Sequence, residues 1–111
     1  MIKSIMQEDW DHCYFDGCEN MPSETHHVLH GANRRRAKWD KLMIHVCMQH
    51  HYMIHFDRDK SGELDRRLKR EAQKAWQKNW LREHGIEAYD QTGDAGPAKR
   101  AWMERYGRNY L

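Results

Sequence analysis

With 111 residues, 32% of them charged and 39% hydrophobic, a mean hydropathy of −1.14 and a formal net charge of +2, the chain has room for one domain with a small core. No stretch approaches the roughly 18 apolar residues a membrane span needs. The opening MIKSIMQEDW lacks the basic-then-apolar order of a signal peptide, so the sequence reads as that of a cytoplasmic protein without a membrane partner. The net charge permits an acidic polymer as partner without requiring one, and the clustering of the basic residues is more informative than their sum.

From Asp11 to Glu24 the residues Gly17, Asn20, Pro22 and Ser23 break any regular period, which predicts a loop or knuckle bearing Cys13 and Cys18. THHVLH (25–30) reads as a strand, Gly31-Ala32-Asn33 as the start of a turn, and KLMIHV (41–46) as a second strand, together a β-hairpin with a long connection. In CMQHHYMIHF, Tyr52, Met53, Ile54 and Phe56 lie among histidines at helical spacing, predicting a helix from about Gln49 to an interruption at Asp57–Gly62. A second helix is expected from about Glu63 to His84, where Leu64, Leu68, Ala72, Trp76 and Trp80 recur every four residues as a packing stripe, and Gly85 stops it. DQTGDAGP reads as a polar loop, after which Pro97 opens a short last helix with Trp102, Met103 and Tyr106. The expected fold class is therefore α+β: a core of knuckle, hairpin and helix over residues 1–62, with a helical extension over 63–111 packed on it as one domain.

A small core needs a second source of stability, and a bound metal is a common one. Cys13, Cys18 and Cys47 are odd in number, and a reducing compartment disfavours disulfides, so metal ligation is their expected use. Cys13-x4-Cys18 and Cys47-x2-His50 supply four soft or borderline ligands in two pairs about thirty residues apart, which suits tetrahedral zinc. A structural zinc contributes roughly 10–16 kcal/mol of apparent binding free energy, comparable with the whole net stability of a domain.

The other histidines suggest a second centre. His51 and His55 are four apart on the expected helix, so both rings project from one face and can grip a single ion. Adjacent strand residues point to opposite faces, so one of His26 and His27 can complete a three-histidine site while the other stands free as a base. A neutral imidazole is available to take a proton from water, because unperturbed histidine titrates near pH 6.5. His12, His30, His45 and His84 have no evident partners and are expected in surface or structural roles. DRDKSGELDRRL begins like a calcium loop with Asp57, Asp59, Ser61 and Gly62, but its twelfth position is Leu68 where a bidentate Glu is required; Ser61 is expected instead to cap the next helix.

The order Cys…Cys…His-His…Cys-x2-His-His-x3-His, set on knuckle, hairpin and helix, resembles the HNH nuclease family, the ββα-metal or His-Me finger endonucleases. The likeness is greatest to small phage-encoded members with a zinc knuckle. The His-His and His-x3-His pairs are also those of the colicin DNases. The resemblance spans about Cys13 to Phe56, and the ending YGRNYL is similar too, though less distinctive.

The resemblance implies a metal-dependent DNA endonuclease or nickase. It makes His26, His51 and His55 the ligands of one catalytic divalent metal and His27 the general base that activates water against a phosphodiester, leaving a 5′-phosphate. Three imidazoles suit Zn²⁺, Ni²⁺ or Mn²⁺ better than Mg²⁺, which is held when substrate oxygens complete its shell. The family's middle Asn, which braces the loop and orients the base, falls here on Leu42, flanked by Lys41 and Asp40, so either Asp40 or Asn33 takes over that role or activity is reduced. His50 stands where many members have Cys, and Cys18 comes two residues later than the commoner spacing.

Arg34, Arg35, Arg36 and Lys38 are expected in the hairpin connection, where they would hold flanking phosphates of DNA. Arg66, Arg67, Lys69 and Arg70 are expected as a solvated helix face. The alternative function is a zinc-stabilised module with little or no turnover, binding nucleic acid or assisting phage packaging proteins.

Overall fold

The computed structural model describes residues 2–85 and 96–111; most of the expected polar loop, at 90–95, lies outside the described residues. After the amino-terminal knuckle come β1 (Glu24–His27), a 3-10 turn (Gly31–Asn33), α1 (Arg34–Trp39), β2 (Met43–Val46), α2 (Met48–Phe56), α3 (Ser61–Glu83) and α4 (Gly96–Tyr106). This is a small α+β fold whose one described sheet is the antiparallel pair β1–β2, with His26 opposite Ile44 and His27 opposite Met43.

Alternation sets the hairpin. Ile44 and Val46 of β2 and His26 of β1 turn inward, and their neighbours turn outward. The first strand was expected to reach His30, but pairing fades after His27: Val28 N–H reaches Leu42 C=O at only 3.5 Å, and Gly31 then takes a left-handed backbone with φ of 61°. Val28 and Leu29 instead bury fully into the core.

The hairpin connection is a correction to the expected loop. Arg34–Trp39 forms a short helix, because RRRAKW consists largely of good helix formers without Gly or Pro, and its single inward residue, Ala37, anchors it. The helix ends in a Schellman closure: Leu42 N–H bonds Ala37 C=O at 2.9 Å and Lys41 N–H bonds Lys38 C=O at 3.1 Å. That closure puts Lys41 at φ 62°, a left-handed conformation that glycine adopts more cheaply.

The α3 stripe includes Leu68 and Ala72 as expected but continues through Gln73, Gln77 and Leu81. A strict four-residue repeat drifts about 40° per step around a 3.6-residue helix, so the buried face cannot follow it to the end. Gln73 is fully buried and satisfied: its amide donates to Gln77 Oε1 at 2.7 Å and Asn109 Oδ1 at 2.9 Å, and its carbonyl accepts Tyr110 N–H at 2.7 Å. Ser61 does not cap α3. The Asp57 carboxylate ties the preceding turn through the Asp59 and Lys60 N–H groups, and α3 begins at Ser61 without a side-chain cap.

One buried cluster includes Cys13 and Phe15 of the knuckle, Val28, Leu29, Leu42, Ile44, Ile54, Leu68, Ala72 and Trp102. Trp102 is its largest fully buried side chain, with Trp76 edge-on at 5.6 Å and Tyr106 at 4.2 Å between ring centroids. Beside it Asp40 accepts from Trp76 Nε1 at 2.9 Å, from Arg105 Nε at 2.5 Å and Nη2 at 2.9 Å, and from the Tyr106 hydroxyl. Asn33 Nδ2 donates to Tyr106 C=O at 3.0 Å. Both ends of α1 are therefore bolted to α4.

Two outcomes follow from these contacts. Asp40→Ala, which strands four donor groups of three residues around a largely buried carboxylate, lowers unfolding free energy by about 2–4 kcal/mol in denaturant titration. Lys41→Gly raises it by about 0.5–1 kcal/mol, the left-handed strain relieved less the extra freedom of unfolded glycine.

Candidate metal centres

The knuckle is built by a reversal. Tyr14 N–H bonds His45 C=O at 2.9 Å, docking the segment on β2, and Gly17 at φ 77° turns the chain so that Cys18 N–H bonds Phe15 C=O at 3.1 Å. Cys13 and Cys18 are thereby brought onto the junction of β2 and α2. Cys47 caps α2, its sulfur accepting His50 N–H at 3.4 Å, and the first helical turn carries the His50 ring back beside it.

The four donor atoms of Cys13, Cys18, Cys47 and His50 all lie within 4.8 Å of one another. Cys18 Sγ is 3.9 Å from Cys47 Sγ, and His50 Nδ1 is 3.2 Å from Cys47 Sγ and 3.5 Å from Cys13 Sγ. Two thiolates on a tetrahedral zinc at about 2.3 Å stand roughly 3.8 Å apart, so the spacing fits a metal and is far too long for a disulfide. Phe15 stacks on His50 at 4.5 Å between ring centroids and shields one side. Burial pushes the Cys13 thiol up. Burial acts on Cys47 in the same direction, but hydrogen bonds from His50, Asn20 and Cys18 outweigh it and bring Cys47 down to about 6, which favours the thiolate that ligates.

The second group joins separate elements. His26 comes from the inward face of β1, and His51 and His55 from successive turns of α2. Ring centroids lie 5.5 Å apart for His26–His51, 5.1 Å for His26–His55 and 4.7 Å for His51–His55. One nitrogen from each lies within 4.8 Å of the other two, and the Nε2 atoms of His51 and His55 are 3.1 Å apart. Two imidazole nitrogens on one ion at about 2.0–2.1 Å are separated by roughly 2.9–3.4 Å, so that pair is already at ligand spacing.

His26 is 2% exposed, and its Nε2 is the one buried side-chain polar atom without a hydrogen-bond partner among the described residues. An orphaned polar atom in a buried position calls for an explanation, and a cation held with His51 and His55 supplies one. Burial, then the neighbouring His55, His51 and His30, push His26 down to about 3, so its lone pair is free at neutral pH. His51 is half-buried and His55 exposed, so the cluster is closed beneath and open on the α2 side. Three protein ligands with an open side are the arrangement of a reactive metal site, four closed ligands that of a structural one.

His27 turns away from this cluster, as alternation requires. It is half-buried, and burial, with Arg34, Lys38 and His30 nearby, pushes its ring below the ordinary histidine value. Arg34 and Lys38 thus stand close to His27, but on α1 rather than on the loop expected. Arg35 and Arg36 are exposed on the same helix. Asn33 and Asp40 sit at the two ends of α1. Asn33 bonds Tyr106 and Arg36, and Asp40 bonds Trp76, Arg105 and Tyr106; neither has a hydrogen bond to His27.

His30 was overlooked as a neighbour of the site. Its ring centroid is 5.8 Å from that of His26, and its Nε2 lies 3.7 Å from Asp65, which Lys69 also bridges at 2.7 Å. The signal was available, since His30 follows His26 by four residues in the segment expected as a strand. The remaining histidines have local partners: His12 with Asp9, His45 stacked on Trp10, and His84 stacked on Trp80. In the second basic cluster, Arg67 pairs with Glu71 and Lys69 with Asp65 along α3.

The Cys13, Cys18, Cys47 and His50 geometry generates a direct outcome. The expected result is that the purified chain carries a tightly held ion and that Cys18→Ser or Cys47→Ser removes it. Stripping it with a strong chelator abolishes the cooperative thermal transition, since a contribution of about 10–16 kcal/mol matches or exceeds a domain's net stability. Elemental analysis alongside calorimetry reads both. Comparison with protein-family models, with curated proteins and with solved structures finds no match.

Proposed function

We propose that the protein is a metal-dependent DNA endonuclease or nickase of the HNH type, with a structural zinc held by Cys13, Cys18, Cys47 and His50. The observation carrying this reading is the convergence of buried, unpartnered His26 Nε2 with His51 and His55, with His27, the next residue of β1, left outside that group. A divalent ion bound there would act as Lewis acid for the phosphate and its leaving oxygen. His26 fixes the depth of the site from the core, and His51 and His55 supply its solvent-side ligands.

The base function belongs to His27. Its neutral ring takes a proton from water as the water oxygen bonds to phosphorus and the bond to the 3′ oxygen breaks, leaving a 5′-phosphate. Arg34 and Lys38 place positive charge beside that ring, where they hold the phosphates flanking the scissile one. Together with burial, the larger cause, they push the imidazole below the ordinary histidine value. Asp40 and Asn33 hold α1, and with it these cations, against α4.

A second reading is a DNA-binding or packaging accessory module that kept the scaffold without turnover. It is favoured by one observation: both candidates for the missing middle Asn bond to α3, to α4 or within α1, and neither to His27. Its signature is salt-sensitive DNA binding without strand scission.

Incubation with supercoiled plasmid separates the two. With Mg²⁺, Mn²⁺, Ni²⁺ or Zn²⁺ the chain converts supercoiled to nicked circles. His27→Ala lowers the rate by about 10²–10⁴-fold while leaving metal content unchanged, and His51→Ala loses both activity and one ion per chain. Nicking at the normal rate by His27→Ala removes His27 from its role, and absence of nicking with every ion favours the accessory module.

A further inference from the structure

Trp39 ends α1 at 83% exposure, the most exposed large hydrophobic residue described. A chain with so small a core gains most from an indole by burying it, as it does with Trp102. Trp39 has no stacking, cation or hydrogen-bond partner among the described residues. Its fully presented ring is left for a ligand.

Basic residues gather around the ring along the sequence. RRRAKW contains no acid, Arg35 lies one turn before Trp39, and Lys38 and Lys41 flank it in sequence. Two carboxylates adjoin it and both are engaged: Asp40 by Arg105, Trp76 and Tyr106, and Glu83 by Asn79 Nδ2 at 3.1 Å. Lys41 keeps a cation at a backbone position where glycine costs less. Trp39 and Lys41 line a cleft of about 490 Å³ together with Trp76, Trp80, Glu83 and Arg105. Aromatic faces set among cations are the chemistry of single-stranded nucleic-acid binding, where bases stack and phosphates pair with the charges.

The geometry of α1 joins this face to the reactive one. Residues four apart share a helix face, so Arg34 and Lys38, which act on His27, form one row and Arg35 and Trp39 the next. A backbone held by the first row delivers the neighbouring nucleotide to the second. In an intact duplex that base is stacked inside and cannot meet the indole.

We propose that Trp39 is a stacking platform for an unpaired nucleobase, so that the substrate class is DNA with a single-stranded element, such as a fork, flap or gap. The cleavage part of this inference rests on the nuclease reading above; the stacking part is measured without it.

The test uses two oligonucleotides of equal length, a fork with 2-aminopurine at an unpaired position by the junction and a blunt duplex with 2-aminopurine paired, titrated with the full chain in buffer without added divalent ion. The expected result is tighter binding of the fork than of the duplex, with 2-aminopurine fluorescence quenched on the fork alone. Trp39→Ala then loses the quench and about 5–150-fold of fork affinity, a stack being worth about 1–3 kcal/mol, while Trp39→Phe keeps most of both. Because Trp39 is exposed, its replacement leaves the fold intact, and an unchanged thermal transition checks this.

Equal binding of fork and duplex by the natural chain, or unchanged fork binding by Trp39→Ala, overturns the proposal. If plasmid nicking still depends on His27 in that case, the nuclease reading stands alone. If the Trp39-dependent quench is seen but no metal supports cleavage, the platform stands and the nuclease reading falls.

Discussion

The position of Cys47 is the constraint from which the rest of the site follows. It directly follows β2, caps α2 with its sulfur and lies at contact distance from Cys18 and from the His50 ring. Those three duties fix where α2 leaves the hairpin and at what rotation. His51 and His55 are four and eight residues further on, so their direction is decided by that exit. A helix displaced by one residue rotates by about 100° and would carry both rings away from His26. The knuckle is therefore a positioning device for the histidine cluster as well as a source of stability.

Much of this was legible because it rests on short-range periodicity and on ligand chemistry. Cys-x4-Cys and Cys-x2-His are local spacings, and alternation on β1 alone separates His26 from His27. What was not legible depends on tertiary competition. The hairpin connection became α1 because Ala37 found a place in the core and Leu42 N–H closed the helix, facts no local window contains. The buried Gln73 was invisible for a similar reason: a glutamine reads as surface until Asn109 and Tyr110, far along the chain, satisfy its amide. His30 could have been noticed, but the significance of Asp65 beside it needed α3 in place.

The carboxy-terminal helices do more than cover the hairpin. Asp40 gathers an indole, a guanidinium and a phenol from α3 and α4, and Asn33 holds the backbone of Tyr106, so α1 is gripped at both ends by elements outside the cysteine and histidine motifs. Six residues of isolated helix would not persist in water, because nucleation is costly and so few hydrogen bonds follow it. The cations of α1 thus have a fixed direction only because α4 is docked.

That dependence explains why a helix rather than a loop suits this position. A loop bearing Arg34, Arg35, Arg36 and Lys38 could neutralise phosphates anywhere within its reach, with much conformational entropy to lose on binding. A helix pinned at both ends sorts the same residues into rows, Arg34 and Lys38 near His27 and Arg35 in line with Trp39, which borders the cleft. Its left-handed closure at Lys41 turns the chain directly into β2, beside the strand that carries His26 and His27. The strain at that one residue is small beside what it secures: a fixed register between the cations of α1 and the histidines of β1, the groups proposed to hold DNA and to cut it.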